Sequence, residues 1–230
     1  MSYPLIETDS DPDFTTKAAG IMERAMTDAI EQRGFSIVGL SGGSTPREVY
    51  GALGQAKNID WSKVWLFLVD DRYIREDSPH SNQFLVRSTL LRHAPVPESQ
   101  LLFPDTELTI AQCVGLYEEH MHDLLQKGPP DIVTLGLGED FHTASLFPPV
   151  SSDAFGQRLV LHTVTDRFDI RDRITTTVPV LAQARSQLVL LKGKAKKEAW
   201  EMMMEGDDDP KHYPLKAVME EGRMTVVARW

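Results

Sequence analysis

Apolar side chains in the first part of the chain recur with two different spacings. Between residues 18 and 30 they return every three or four positions, which predicts an amphipathic helix ending near Gly34. The next segment, Phe35-Ser-Ile-Val-Gly-Leu40, has the length and composition of a short buried strand. A glycine-rich turn follows, and Pro46 suits the first turn of a second helix. The chain therefore begins with helix and strand in alternation.

The same alternation continues to the end of the chain. Strands are predicted at 64–69, 131–135, 159–164, 174–177, 187–191 and near 225–228, and helices at about 82–91, 108–125 and 194–204. Apolar strands interleaved with helices are typical of α/β proteins with a mainly parallel, Rossmann-like sheet covered by helices on both faces. We expect residues 1–230 to form a single domain, with room for a small extra lobe. Ligands of such sheets bind beyond the carboxyl ends of the strands.

The charge balance limits the possible partners. Lys and Arg number 24 against 34 Asp and Glu, which gives a formal net charge of −10. A chain this acidic has no general attraction for nucleic acid or for an anionic membrane face. An anionic ligand could therefore bind only at a local cationic site.

The remaining bulk features favour a cytoplasmic protein. No apolar run approaches the ~20 residues of a membrane-spanning helix, and the N-terminus lacks the basic and apolar regions of a secretory signal. The single cysteine, Cys113, excludes an intramolecular disulfide. It lies in an apolar helical stripe, which indicates a core residue rather than a nucleophile.

The first candidate loop follows the 35–40 strand and consists of Ser41, Gly42, Gly43, Ser44, Thr45 and Pro46. Its glycines allow a ligand to approach the backbone closely, and Ser44 or Thr45 is expected to cap the following helix. Unpaired N–H groups at a helix start favour phosphate or carboxylate. The Lys-Ser/Thr ending of a Walker A loop is absent. A tight turn without a ligand is the alternative.

The second candidate loop, Asp70-Asp71-Arg72-Tyr73, follows the 64–69 strand directly. Two carboxylates and a guanidinium at the carboxyl end of a strand can orient a polyhydroxylated or anionic substrate. The alternative is a helix cap together with a surface ion pair. Ser81 and Asn82, at the next helix start, are equally compatible with capping alone.

The third candidate loop spans residues 136–147 after the 131–135 strand. A dinucleotide-binding motif would require glycine where Phe141 stands, which argues against an NAD site. Asp140 and His142 remain, and a histidine beside a carboxylate is the usual arrangement for activating water. An acyl-enzyme through Ser145 lacks the expected G-x-S-x-G turn. A purely structural histidine is the alternative for His142.

Cationic residues are concentrated late in the chain. Arg173 opens the 174–177 strand, and four lysines surround Gly193 at a predicted helix start: Lys192, Lys194, Lys196 and Lys197. Lysines there oppose the helix dipole, so a nearby anion would explain the cluster. The alternative, for most of these four lysines, is a solvated face. The remaining histidines show no metal-ligand spacing.

In combination, these stretches resemble the 6-phosphogluconolactonase family, within the superfamily that includes glucosamine-6-phosphate isomerase/deaminase. The resemblance is carried, in the family's order, by residues 41–46, 70–72 with 81–82, 136–148, 173–175 and 193–196. Two departures stand out. The family's usual Asp-Gly-His is Asp140-Phe141-His142 here, and its usual Asp-Glu-Arg has Asp71 at the second position.

The resemblance implies hydrolysis of 6-phospho-D-glucono-1,5-lactone to 6-phosphogluconate in the oxidative pentose phosphate pathway. It implies a small sugar-phosphate lactone as partner, and neither a metal nor an organic cofactor. The 41–45 loop, Arg173 and Lys196 are expected to bind the phosphate. Arg72 is expected to bind substrate oxygens or the phosphate, and Asp70 is expected to contact the substrate. His142 would be the general base, oriented by Asp140.

Two other functions remain open from the sequence. One is a sugar-phosphate isomerase or deaminase on the same scaffold, although the segment after His142, Thr-Ala-Ser-Leu-Phe-Pro, differs from that of deaminases. The other is a non-catalytic sugar-phosphate sensor. Such sensors typically carry an additional DNA-binding domain, for which we expect no room before the first helix.

Overall fold

A computed structural model describes residues 3–219 and 222–230. Its strands are β1 (Leu5–Glu7), β2 (Ser36–Leu40), β3 (Val64–Leu68), β4 (Asp70–Arg72), β5 (Leu101–Leu102), β6 (Ile132–Leu135), β7 (Val160–Val164), β8 (Asp172–Thr176), β9 (Gln187–Lys192) and β10 (Met224–Arg229). Its α-helices are α1 (Asp11–Arg33), α2 (Arg47–Gly54), α3 (Asn82–Ser88), α4 (Ile110–Leu125), α5 (Val178–Ala182), α6 (Lys194–Glu205) and α7 (Pro214–Val218).

The first helix shows how local sequence sets an element. Ser10 caps α1 by accepting a hydrogen bond from the backbone N–H of Asp13, and Gly34 ends the helix in the left-handed conformation, at φ 84°. Between them, Phe14, Ala18 and Met22 recur every four residues on the buried face. The predicted helix and its end near Gly34 are confirmed.

The main sheet has seven strands in the order β1-β10-β9-β6-β2-β3-β5, and every pair in it is parallel. Two hydrophobic cores pack against the sheet, and successive side chains of a strand belong to one core and then the other. In β2, for example, Ile37 packs with α4 and Val38 packs with α1. The predicted mainly parallel sheet with helices on both faces is confirmed.

The strand order places a topological switch point beside β2. The chain passes from β2 to β3 and β5 on one side, then returns to β6 on the other side of β2. Loops after β2 and β6 therefore diverge to opposite faces and leave a crevice between them, which is where open α/β sheets bind ligands. The loops starting at Ser41 and Gly136 both lie at this crevice.

A second sheet of three antiparallel strands, in the order β4-β8-β7, supplies the small extra element. The prediction that Asp70–Arg72 is a loop is wrong, because these residues form β4 and pair with β8. The sequence pattern also missed β1, β5, α5 and α7. These are elements of two to five residues, too short to show a periodicity.

Within the described ranges, no helix combines the length and apolar character needed to cross a bilayer. Cys113 lies on the buried face of α4, as predicted. Burial, with smaller contributions from the charges of Asp105 and Asp71, raises the pKa of the Cys113 thiol to about 11. The thiol therefore stays protonated and packs as a small apolar side chain.

Candidate active site

The carboxyl ends of the central strands surround a cavity of about 220 Å³. Its wall contains almost all of the site residues selected from the sequence: Ser41, Gly42, Gly43, Ser44, Thr45, Asp70, Arg72, His142, Arg173 and Lys196. Asp140 completes the set by contacting His142. The fold thus brings five distant stretches of sequence to one place.

Two buried side chains hold the start of the first loop. The backbone N–H of Ser41 donates to Thr134 Oγ1 at 2.9 Å, and the Tyr50 hydroxyl donates to the Ser41 carbonyl at 2.8 Å. Burial raises the pKa of Tyr50 to about 12, against the lowering effect of these hydrogen bonds, so the phenol remains a donor. Thr134 and Tyr50 are positioning residues that sequence reasoning missed, because nothing local marks them.

The two glycines of this loop have different structural roles, one allowing close contact with Asn82 and the other a turn with positive φ. A Cβ on Gly42 would lie 1.8 Å from Asn82 Oδ1, and Gly43 has φ 95°, which side chains rarely adopt. The expected capping by Ser44 or Thr45 is wrong, since Pro46 occupies the N-cap of α2 and no side chain in the described part of the chain caps that helix. Ser44 and Thr45 lie on the cavity wall instead.

The two acidic residues of β4 have different environments. Asp71 is wholly buried and accepts hydrogen bonds from the backbone N–H groups of Arg72, Asn82 and Gln83 at 2.6–3.1 Å and from the Ser81 hydroxyl at 3.0 Å. Burial raises the pKa of Asp71 to about 6, although these hydrogen bonds oppose the shift. The helix-cap interpretation is therefore correct for Asp71, which anchors the start of α3.

Asp70, by contrast, lies on the cavity wall. Its carboxylate accepts a hydrogen bond from the hydroxyl of Ser145 at 2.5 Å, and Ser145 is wholly buried. A buried hydroxyl committed to a carboxylate is not placed for acyl transfer, which agrees with the missing G-x-S-x-G turn.

Asn82 is a cavity residue as well as the first residue of α3. Its amide N–H donates to the Asp70 carbonyl at 2.8 Å, while its Oδ1 is buried without a hydrogen-bond partner in the described structure. Sequence reasoning gave Asn82 little weight, and its only signal was its place beside Ser81.

The two arginines of the small sheet line the cavity, and neither forms an ion pair with a carboxylate among residues 3–219 and 222–230. Arg72 donates to the His80 carbonyl at 2.6 Å, so the alternative of a surface ion pair is wrong for the residues described. Arg173 is buried, donates to the Ile170 carbonyl at 3.0 Å, and lies 5.3 Å from the ring centre of Phe168. Burial and the charge of Arg72 lower the pKa of Arg173. Two neighbouring guanidinium groups, one of them buried, favour an anion.

The four lysines around Gly193 differ in their partners. Three of its members form ion pairs with nearby carboxylates: Lys192 with Asp11, Lys194 with Glu198, and Lys197 with Glu201. Lys196 instead lines the cavity and has no ion pair within the described ranges. Burial lowers the pKa of Lys196, while the charges of Glu139 and Asp140 oppose that shift. The solvated-face interpretation thus fits every lysine of the cluster except Lys196.

His142 and Asp140 form a hydrogen-bonded pair through Nδ1 and Oδ1. Burial would raise the pKa of Asp140, but the hydrogen bond and charge of His142, with the charge of Arg167, lower it to about 2. Asp140 is therefore ionised and accepts the Nδ1 proton, which leaves Nε2 as the ring nitrogen that can exchange a proton with a ligand. Gly138 makes room for the pair, since a Cβ there would lie 2.1 Å from His142 Nδ1.

Arg167 and Phe168 join the site from the loop between β7 and β8. Arg167 Nη1 lies 3.1 Å from Asp140 Oδ2, and the ring of Phe168 lies 5.8 Å from that of His142. Sequence reasoning missed both, because only the pairing of β7 with β8 brings their loop to the imidazole. In the described structure, no group of three or more His, Cys, Asp or Glu side chains could hold a metal ion.

The family profile described as glucosamine-6-phosphate isomerases/6-phosphogluconolactonase matches residues 9–227. The chain belongs to this family. A probable 6-phosphogluconolactonase of Dictyostelium discoideum is 34% identical over 220 residues, covering 94% of this chain and 93% of the relative. A 6-phosphogluconolactonase of a Synechocystis species is 33% identical over 217 residues, covering 89% of both chains.

Solved structures of the family superpose closely. The 6-phosphogluconolactonase of Plasmodium vivax has a TM-score of 0.89 at 29% identity, covering 98% of this chain and 90% of its own. A monomeric glucosamine-6-phosphate deaminase has a TM-score of 0.82 at 21% identity, covering 98% and 97%. At that identity the deaminase shares the fold alone. The lactonase branch is therefore the one favoured by sequence likeness.

Proposed function

We propose that this chain hydrolyses 6-phospho-D-glucono-1,5-lactone to 6-phosphogluconate. The observation that carries the proposal is the His142–Asp140 pair beside a cavity with three cations, Arg72, Arg173 and Lys196, that have no carboxylate ion pair within the described ranges. The substrate offers the matching groups, a phosphate dianion and an activated ester carbonyl. The two branches of the family differ in chemistry, and relatives named 6-phosphogluconolactonase support the lactonase.

The cations and the first loop supply the phosphate site in this mechanism. Arg173 and Lys196 lie on the cavity wall, as does the 41–45 loop ahead of α2. A helix start favours an anion through its free N–H groups, and guanidinium and ammonium groups add charge-assisted hydrogen bonds. Arg72 binds the phosphate or the substrate oxygens. The cations thus give the proposed phosphate site a positive charge, opposite in sign to the net charge of −10 of the chain.

His142 performs the proton transfers. Its Nε2 accepts a proton from water as the water oxygen attacks the lactone carbonyl carbon, and the carbonyl electrons move to oxygen. The intermediate collapses, the bond to the ring oxygen breaks, and His142 returns the proton to that oxygen. Ionised Asp140 holds the imidazole by Nδ1 and stabilises its charged form between the two steps.

The deciding experiment measures loss of freshly prepared lactone above its spontaneous hydrolysis, with ammonia release from glucosamine 6-phosphate followed in parallel. We expect saturable lactone hydrolysis and no ammonia. The matched control is His142→Gln, which keeps a polar side chain but lacks the base. No acceleration by the wild type above spontaneous hydrolysis would reject the lactonase, and ammonia release would assign the chain to the deaminase chemistry. Equal acceleration by the wild type and the variant would reject only His142 as the base.

A further inference from the structure

Phe141, between the two residues of the proposed catalytic pair, has a backbone conformation that bulky side chains avoid. Its φ is 70°, in the left-handed region. The turn is closed by two hydrogen bonds: the N–H of Phe141 donates to the Gly138 carbonyl at 3.0 Å, and the N–H of Gly138 donates to the His142 carbonyl at 2.7 Å. Backbone strain of this kind persists only where the surroundings hold it in place.

Aromatic side chains from a distant segment surround Phe141. The ring of Tyr213 meets it edge-on with centroids 5.0 Å apart, the ring of His212 lies at 5.5 Å, and those two rings lie 4.5 Å from each other. Edge-to-face rings at these distances attract beyond their burial. Phe141 is half-buried and belongs to the rim of a large core cluster. Its side chain is thus fixed by contacts outside the cavity.

The segment that provides these rings, Gly206–Tyr213, is itself well anchored. The N–H of Tyr213 donates to the Asp209 carbonyl at 2.8 Å, and the Lys216 ammonium donates to the Gly206 carbonyl at 2.6 Å. The N–H of Val150, beyond the other end of the catalytic loop, donates to the Lys211 carbonyl at 2.9 Å. This segment therefore contacts the chain on both sides of His142, at Phe141 and at Val150.

We infer that Phe141 is a positioning residue for the proposed lactonase, and that Tyr213 and His212 act through it. The aromatic contacts hold the left-handed turn, and the turn directs His142 Nδ1 at Asp140 and Nε2 at the cavity. The expected effects on kcat and KM rest on the proposed function. It assigns a role to the segment 206–213, whose rings contact Phe141.

The first test compares Phe141→Ala with Phe35→Ala, a half-buried phenylalanine at the amino end of the interior strand β2 and outside the cavity lining. We expect Phe141→Ala to lower kcat about tenfold with KM within about twofold, because small displacements of a base are costly while the phosphate site is untouched. Phe35→Ala should lower Tm and leave kcat unchanged. Equal kcat in the two variants would overturn the inference.

Four further variants separate the contribution of the ring from that of the backbone. Phe141→Gly relieves the positive φ but removes the ring, so it should melt above Phe141→Ala while keeping the low kcat. Phe141→Tyr should restore kcat. Tyr213→Ala should reproduce the loss, and the double variant with Phe141→Ala should be no slower than either single one. Full activity of Phe141→Gly, or additive losses in the double variant, would contradict the positioning role.

An NMR measurement, which does not depend on activity, tests the positioning role of Phe141 separately from the proposed lactonase activity. In the ¹H NMR spectrum, the His142 Nδ1 proton should resonate far downfield in the wild-type protein because Asp140 accepts it. We expect this resonance to shift or broaden in Tyr213→Ala and to persist in Phe35→Ala. An unchanged resonance in Tyr213→Ala would reject the positioning role, whereas an inactive wild type with the expected shifts would reject only the lactonase.

Discussion

Arg72 and Arg173 are direct partners across the β4–β8 ladder, and neither forms an ion pair with a carboxylate in the described part of the chain. Like charges opposite each other in an antiparallel pair destabilise a sheet by several tenths of a kcal/mol, up to about 1 kcal/mol. A phosphate bound between the two guanidinium groups, as proposed, would replace that repulsion with two attractions. The pairing therefore supports an anion site built at some expense of stability, as the lowered pKa of Arg173 also indicates.

Arg173→Ala should raise KM for the phosphorylated lactone about tenfold to a hundredfold, since a charge-assisted hydrogen bond is worth roughly 1.5–3 kcal/mol. The effect on kcat should be smaller. Arg75→Ala is the matched control, because Arg75 is exposed and paired with Asp77. Inorganic phosphate should raise the Tm of the wild type and of the control more than that of Arg173→Ala. Equal Tm shifts in all three proteins would argue against Arg173 as a phosphate ligand.

Lys196→Ala and Lys194→Ala remove the same charge two residues apart on one helix. Lys196 lines the cavity, whereas Lys194 is exposed and paired with Glu198. Lys196→Ala should raise KM about tenfold, because an exposed ion pair contributes at most about 1 kcal/mol while a desolvated ammonium contributes more. Steady-state kinetics at fixed ionic strength measure the difference. A similar KM in the two variants would mean that Lys196 does not contact substrate.

His142→Ala should lower kcat by about 10² to 10⁴, the usual contribution of a general base. The dissociation constant of 6-phosphogluconate, measured by calorimetry, should stay within about threefold of the wild-type value because the cations remain. His162→Ala controls for loss of a histidine paired with a carboxylate, since His162 lies 2.7 Å from Asp172 in β8. A variant of His142 that turns over normally would remove the base from the mechanism.

Arg167→Ala should lower kcat about threefold to fivefold, because an ion pair with a half-exposed arginine is worth no more than about 1 kcal/mol. Arg167 contacts Asp140 Oδ2, so its loss loosens the orientation of the pair and leaves KM nearly unchanged. Arg171→Ala, from the same loop and paired with Asp166, should behave as wild type. A raised KM with normal kcat would show instead that Arg167 contacts the substrate.

The pKa of Asp140 predicts an acid-dependent contribution to stability. In the folded protein this pKa is about 2, below the ordinary 3.8, so the ionised form is favoured by folding. The stabilisation is present above about pH 4 and is lost as pH falls towards 2. The Asp140→Asn variant lacks this stabilisation, so the Tm difference between wild type and variant should shrink as the pH falls from about 4 towards 2. A difference that is constant from pH 6 to pH 3 would contradict the assignment.

Much of the fold is encoded locally. The helix ending at Gly34, the buried strand before Ser41 and the continuing alternation along the chain follow from apolar spacing and turn residues. These signals act between residues a few positions apart. The motifs around Ser41, Arg72 and His142 could likewise be selected from the sequence, because glycine, charge and histidine have restricted uses beside strand ends.

Pairings between distant segments were decided only by the tertiary structure. Local pattern could not show that Asp70–Arg72 becomes a strand against β8, since three residues carry no periodicity. It could not separate Asp71, a buried helix anchor, from Asp70, a cavity residue one position away. Those roles depend on which side of a strand packs inward, and β8 sets that side.

The sequence by itself determined the fold class, the family resemblance and the residues worth testing. Only the tertiary structure decided which lysine of the cluster lines the cavity, that Arg167 contacts Asp140, and that the ring of Tyr213 meets that of Phe141. The reason is physical. Periodicity and turn chemistry act along the chain, whereas charge pairing, burial and ring contacts depend on distances in space that the strand order sets.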